Sequence, residues 1–381
     1  MDFELSREQQ LLKENLHRFL QRHSGDARRS ATAPGRDTAS DVWTALATKL
    51  GILGLGVPES RGGSEGGAVE QMIVVEALGE HLMLEPFIDA NVICLRLLDG
   101  AATPAAQQAA SMLIAGDAVT AFAWAEPRMR YDPSDITLSA IRHGDGWRLS
   151  GAKSIVNAAP LASSFIVAAR TGGSEGHREG LSLFLVDRDA PYLEMTGYRT
   201  VDGRAAADLQ FSAVEVGERA LLGRTDESWP LIDEVCDRAV AALCAEAVGV
   251  LRRLLRDTIN YTQQRRQFGQ ALADFQVLQH RMVDMSIKLE MASAASILAT
   301  LKLEAAAAER ARAVSAAKVI VGEACRFIGQ NAIQLHGGMG MTDDLPVGRA
   351  FKRAIAIDAE LGDEDYHIAR YGRAAPGRRF A

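Results

Sequence analysis

A chain of 381 residues exceeds what one small core organises and leaves room for two or three packed domains. Its net charge of −7 excludes the basic face that nucleic acid requires. Four dispersed cysteines, Cys94, Cys236, Cys244 and Cys325, lack CxxC spacing and suit a reduced, cytoplasmic protein better than a disulfide framework or a zinc site.

The acidic start Met1-Asp2-Phe3-Glu4 predicts no signal peptide, and no apolar run reaches transmembrane length. From Leu5 to His23, Leu11, Leu12, Leu16, Phe19 and Leu20 recur at helical spacing, with Ser6 and Gln9 as a capping box. Ser24 to Thr38 is polar and predicts a loop. Val42 to Leu50 predicts a helix that ends at Gly51, and the glycines through Gly63 predict a loop. Helical spacing returns over Val69 to His81 and Ala105 to Ile114.

Near Val119 the pattern shortens. Thr120–Trp124, Ile136–Arg142, Trp147–Val156, Phe165–Arg170, Leu181–Val186 and Asp208–Val216 are rich in β-branched and aromatic residues. His143-Gly144-Asp145-Gly146 is a hairpin turn, and Thr171 to Gly180 is a polar loop. That spacing predicts a small antiparallel β domain. From Leu231 the helical period resumes over Leu231–Gln264, Asp274–Ala305 and Ala311–Asn331, as in an antiparallel bundle. The basic tail after Tyr371, with Arg373, Arg378 and Arg379, is expected to fray. The fold class is thus α+β: an N-terminal helical domain over residues 1–118, a middle antiparallel β domain over 119–224 and a C-terminal helical bundle over 225–381.

Two segments carry ligand chemistry. In Gln334-Leu335-His336-Gly337-Gly338-Met339-Gly340, three glycines in four positions let a ligand approach the backbone, and Gln334 offers a donor and an acceptor. Alone, this turn reads equally as a helix C-cap followed by a tight loop. The second segment, Arg265-Arg266-Gln267-Phe268-Gly269-Gln270 followed by Phe275-Gln276, supplies a guanidinium fork suited to phosphate oxygens. Arg265 otherwise reads as a solvated helix-end charge, and Phe268 as core.

With Leu53-Gly54-Leu55-Gly56-Val57-Pro58-Glu59, Glu126-Pro127, Leu149-Ser150-Gly151-Ala152-Lys153 and Asp208-Leu209-Gln210-Phe211, these motifs resemble the acyl-CoA dehydrogenase family over nearly the whole chain. The resemblance implies a flavoprotein that oxidises an acyl-CoA thioester to the trans-2-enoyl-CoA and passes electrons to an electron-transfer flavoprotein. It implies FAD held between two subunits, with Arg265 at the pyrophosphate and Gln334, Gly337 and Gly338 approaching from the neighbouring chain. Phe268 is a further FAD contact by the same resemblance. Asn157 stands where the family's Trp-Ile-Thr segment meets the flavin; it also reads as a strand-end turn residue.

The reaction needs a base for the α-proton, usually a carboxylate. Here Leu361 and Ala239 occupy the two positions where the family carries one. Glu246, two helical turns beyond Ala239 in an apolar run with no basic residue three or four positions away, is the chosen candidate. Its other reading is a helix-packing hydrogen bond or a solvent-facing position. Glu360 is one residue from the expected place, which turns a helical side chain by about 100°. Asp237 suits the helix dipole. The ending from Phe351 to His367 resembles the small-subunit branch of bacterial acyl-CoA dehydrogenases, such as the pimeloyl-CoA dehydrogenase small subunit. Two arrangements follow: a homo-oligomeric enzyme, or a hetero-oligomer in which this chain contributes FAD-binding surface and a large subunit supplies the base.

Overall fold

The computed structural model of the chain describes residues 5–32, 41–342 and 344–374. Helix α1 (Arg7–Thr32) opens with its capping box: the Gln9 side chain accepts from the Ser6 amide at 2.9 Å, and the Ser6 hydroxyl accepts from the Gln9 amide at 3.2 Å. It runs beyond His23 into the stretch expected to be loop, of which residues 33–38 lie outside the described residues. The N-terminal residues 1–4 and the tail from 375 also lie outside them. Helix α2 (Asp41–Thr48) follows, then two short 3-10 turns in the glycine-punctuated stretch, then α3 (Ala68–Glu80). A π-helical segment, Ile88–Leu95, runs into α4 (Arg96–Ala101), and α5 (Pro104–Ala115) follows a Thr103 cap. Helical spacing does not reveal the π segment, because it is apolar and buried almost throughout and has no polar face.

The strands are β1 (Thr120–Ala123), β2 (Ser139–His143), β3 (Gly146–Asn157), β4 (Ser164–Arg170), β5 (Leu181–Asp187), β6 (Leu193–Arg199), β7 (Ala205–Gly217) and β8 (Leu221–Leu222). They form one sheet in the order β6-β7-β3-β2-β4-β5-β8, with β1 beside β4. Most pairs are antiparallel as expected; β1 with β4, and one pairing of β2 with β4, are parallel. Strand β6 escapes the sequence pattern because it is an edge strand paired only with β7 and mostly exposed on both faces. Between two register shifts in the β3–β7 ladder, Lys153 points inward and is fully buried.

Next come α6 (Trp229–Gln264), the two-residue strands β9 (Arg266–Gln267) and β10 (Gln270–Ala271), α7 (Gln276–Leu301), α8 (Ala307–His336), α9 (Val347–Ala359) and α10 (Glu364–Arg373). By contact density the chain divides into two compact units: Met1–Arg28, Ala68–Leu84 and Val240–Ala381 in one, Arg29–Gly67 and Glu85–Ala239 in the other. The second unit holds the sheet and is braced by Arg96, whose guanidinium donates to both oxygens of Glu234 at 2.9 and 3.1 Å. In the first, α7, α9 and α10 pack on α8, while α1 and α3 join through Lys13 and Glu76 at 3.4 Å. Among the described residues no helix is long and apolar enough to cross a membrane.

Helices α3 and α6 cross at backbone contact. A Cβ added to Gly79 would overlap the Glu246 carbonyl oxygen, and one added to Gly249 would overlap that of Glu76 and lie 2.8 Å from the Glu80 nitrogen. Neither backbone moves cheaply, so overpacking here costs about 1–3 kcal/mol or more. Gly249→Val is therefore expected to lower the thermal midpoint by several degrees. Gly217→Ala, whose Cβ would meet nothing within 4 Å, leaves the midpoint unchanged.

Candidate functional site

Helices α6 and α8 end side by side. Tyr261 lies in the last turn of α6, and Arg265, the residue just past its end, donates its amide to the Tyr261 carbonyl at 2.9 Å. The Tyr261 ring stacks on His336 with centroids 4.4 Å apart and planes 26° from parallel. The His336 ring is fixed in turn by a 2.8 Å hydrogen bond from Nδ1 to the Ala332 carbonyl. Beyond the stack α8 stops: Gly337 takes a φ of 58°, and Gly337–Met341 form a 3-10 turn. Gly340 packs closely under the turn, where a Cβ would lie 2.8 Å from the Ile333 carbonyl oxygen. Gly337 and Gly338 instead face open space, with nothing within 4 Å of a Cβ at either.

Together these ends enclose a cavity of about 800 Å³, within the usual range for ligand sites. Arg265, Gln334, Gly337 and Gly338 all line it, so one chain brings together the groups that the resemblance divides between neighbouring chains. Tyr261, His336 and Arg281 line it too, unremarked in the sequence; the one-turn offset of Tyr261 from Arg265 was the available signal. Apolar Leu272, Val277 and Leu278 complete one wall. Among the described residues no carboxylate lines the cavity, although the chain as a whole carries a net charge of −7. Arg265 is exposed, and among the described residues no acid lies within ion-pair distance of it. Two guanidinium groups, a glutamine and a bare backbone turn form a site for an extended anion with a planar apolar part.

Phe268 is neither core nor a lining residue of the cavity. It sits at the tip of the β9–β10 hairpin, 91% exposed, with a φ of 54°. With Gly269 at 87° it forms the two-residue, left-handed turn that matches strand twist. Asn157 is the last residue of β3, opposite Ala206 of β7, in the other compact unit.

Glu246 is buried, and its partner comes from far along the chain. Arg353 of α9 donates from Nε to Glu246 Oε1 at 2.8 Å and from Nη2 to Oε2 at 2.7 Å. The third guanidinium nitrogen, Nη1, donates to Glu360 at 3.0 Å. Spacing along α6 alone hides this pairing. Both Glu246 oxygens are thus engaged, in a geometry suited to locking two helices. Glu360 is not in a helix, so the expected 100° offset does not apply: α9 ends at Ala359 and Glu360 is extended, with ψ 133°. Leu361 follows in the left-handed region at φ 56°. This corner is clamped by Lys318, which donates to the carbonyls of Asp358 at 3.0 Å and Gly362 at 2.6 Å. His367 Nε2 reaches the Leu361 carbonyl at 3.1 Å, and Ser315 Oγ lies 3.2 Å from Nδ1. Asp237 is fully buried and more than two turns into α6, too deep for the helix dipole to explain it; Ala239 is buried.

A second buried ion pair lies in the sheet unit. Lys153 Nζ donates to Glu126 Oε1 at 2.8 Å and to the Trp124 carbonyl at 3.0 Å. Glu126 also accepts from the amides of Thr137 and Leu138, both at 2.9 Å. Burial pushes the Lys153 ammonium down to about 8, against the pull of Glu126. Burial opposes the charge on Glu126 as well, but the Lys153 charge and the hydrogen bonds prevail and hold its carboxyl below the usual range. All four cysteines are free, and no His, Cys, Asp or Glu cluster among the described residues suits a metal.

Family models for acyl-CoA dehydrogenases match three consecutive segments: the N-terminal domain model over residues 6–116, the middle domain over 121–214 and the C-terminal domain over 229–375. Cyclohexane-1-carbonyl-CoA dehydrogenase of Geobacter metallireducens is 28% identical over 92% of this chain and 93% of its own length. The caffeyl-CoA reductase-Etf complex subunit CarC of Acetobacterium woodii is 28% identical over 80% of this chain and 81% of its own. The structure of the ChsE4-ChsE5 complex from Mycobacterium tuberculosis contains a chain that superposes with a TM-score of 0.88, at 24% identity, covering 100% of both chains.

Burial pushes the His367 imidazole down to about 3 and the His81 imidazole to about 4, each helped by a nearby positive charge, Lys318 for the former and His17 for the latter. Their ordinary value is 6.5, so between these limits the unfolded chain binds more protons than the folded one. Stability is therefore complete above pH 6.5 and is lost as pH falls toward 3 to 4. Denaturant midpoints measured across that range are expected to fall on acidification, with a shallower fall in His367→Asn.

Proposed function

The chain belongs to the acyl-CoA dehydrogenase family, and from that premise we propose that it acts, as one subunit of an oligomer, in the FAD-dependent α,β-dehydrogenation of an acyl-CoA thioester, with an electron-transfer flavoprotein as acceptor. The observation that carries this reading is the cavity lined by Arg265, Arg281, Gln334 and the open turn Gly337-Gly338, with no acid lining it among the described residues. These residues suit FAD: the two guanidinium groups match the pyrophosphate charge, and backbone N–H groups of the turn are accessible to its oxygens. Gln334 offers both hydrogen-bond polarities to a polar edge. Phe268 at the hairpin tip and Asn157 at the end of β3 are the further proposed contacts. Bound FAD supplies an acceptor for the hydride leaving the thioester β-carbon. The related complex subunit of Acetobacterium woodii, described with an Etf, supports the choice of electron acceptor.

The Arg353 fork favours a second reading of where the base resides. For Glu246 to take an α-proton, it must give up the negative charge that pairs with a buried guanidinium donating to both of its oxygens. Leu361 and Ala239 offer no acid. In this reading the chain binds the flavin and a larger partner subunit brings the carboxylate. The ChsE4-ChsE5 complex is a two-component precedent, and the ending that resembles the small subunit of bacterial pimeloyl-CoA dehydrogenase points the same way.

Gly338→Val tests the cofactor site. Its Cβ meets nothing within 4 Å, so the fold is expected to be intact, while flavin affinity falls by on the order of tenfold or more. Flavin absorbance per chain and the thermal midpoint report the two quantities; unchanged occupancy contradicts the site. Glu246→Gln tests the base. With Glu246 acting as the anchor of Arg353, the variant loses stability, by up to about 3–5 kcal/mol, and turnover with a base-bearing partner subunit persists. A fall in turnover of roughly a hundredfold or more with flavin and stability retained assigns the base to Glu246 instead.

A further inference from the structure

Strand β3 changes phase near its end. Lys153 pairs with Leu209 of β7 and Val156 with Ala207, so Ser154 and Ile155 together stand opposite the single residue Asp208. A one-residue slip of this kind moves every later side chain to the opposite face. Lys153 and Val156, three positions apart, are accordingly both buried. Asn157 turns to the outer face, in one row with Ala206 of β7 and Tyr198 of β6. Without the extra residue, strict alternation would put Asn157 on the inner face with Lys153.

The bulge strains the backbone. Ile155 adopts a φ of 51°, where a β-branched residue stays only if its surroundings hold it. Its side chain is 61% exposed, so core packing does not supply the hold. Hydrogen bonds do. The Ser154 amide donates to the Ala125 carbonyl at 2.9 Å, and the Ile155 amide donates to Asp208 Oδ1 at 3.0 Å. The same Asp208 oxygen accepts from the Tyr198 hydroxyl at 2.8 Å. Burial, with the Asp208 carboxylate, pushes the Tyr198 phenol up to about 12, so it stays a donor at working pH. One carboxylate thus ties β3, β7 and β6 together at the bulge. We propose that Asp208 is a positioning residue for the flavin: with Tyr198 it fixes the Ser154-Ile155 bulge and so aims Asn157 outward at the bound cofactor. This inference rests on the assignment of Asn157 as a flavin contact.

The test uses the full-length chain with FAD. Asp208→Ala is expected to weaken flavin binding by about tenfold, the scale of the hydrogen bonds removed, and to alter the visible circular dichroism of the flavin that remains bound. Asp208→Asn, whose amide oxygen can accept from both Ile155 and Tyr198, recovers most of both signals. In an Asn157→Ala background the same Asp208→Ala change is expected to weaken binding by less than about twofold, because Asp208 acts through Asn157. An unchanged affinity or an unchanged flavin spectrum in Asp208→Ala overturns the proposal. So does a loss as large in the Asn157→Ala background as in the parent, which marks a bulge that serves the fold alone. In those cases the parent still binds FAD and Gly338→Val still weakens it, so the cofactor reading stands. A parent chain that takes up no FAD overturns both.

Discussion

The stack of Tyr261 on His336 does more for the candidate site than either ligand-type motif does alone. An arginine just past the end of one helix and a glycine turn at the end of another form a site only if the two helices finish at the same place. The aromatic contact at 4.4 Å joins the last turn of α6 to the last turn of α8, and the His336–Ala332 hydrogen bond keeps the imidazole from rotating away. Aromatic pairs of this kind contribute about 0.5–1.5 kcal/mol beyond burial. That is small against the whole fold, yet it acts where Arg265 and Gly338 acquire their common wall. Glycine then divides its labour: Gly337 turns the chain, Gly340 packs beneath it, and Gly338 leaves the surface bare.

At the other end of the same unit, chemistry is restrained. Arg353 holds Glu246 with two nitrogens and Glu360 with a third, while Lys318 and His367 grip the carbonyls of the Leu361–Gly362 corner. A lone buried carboxylate is costly and would be expected to have a task; a carboxylate in a bidentate ion pair has already found one. The left-handed Leu361 stays in place because buried side chains fix the carbonyls around it.

Much of this was legible from residue order alone. Long amphipathic spacing located α1, α3, α6, α7 and α8, and the Ser6–Gln9 capping box formed as read. Edge strand β6 and the π segment carried no usable alternation, one because it is exposed on both sides, the other because it is buried on all of them. Arg265, Gln334, Gly337 and Gly338, which line one cavity, could be singled out because their chemistry is local. The partner of Glu246 was not, since Arg353 is 107 residues distant and no periodicity connects them. For the same reason the wall that Arg265 and the glycine turn share within one chain was not legible: helix lengths and packing, which residue types do not display, decide where two helices end.

Hydrogen–deuterium exchange of the full-length chain with and without FAD addresses the central claim most directly. Backbone amides of Gly337 to Met341 and of Arg265 to Ala271 are expected to gain protection together on binding, because both segments border one cavity. Flavin bound at one equivalent with neither segment protected would contradict the account.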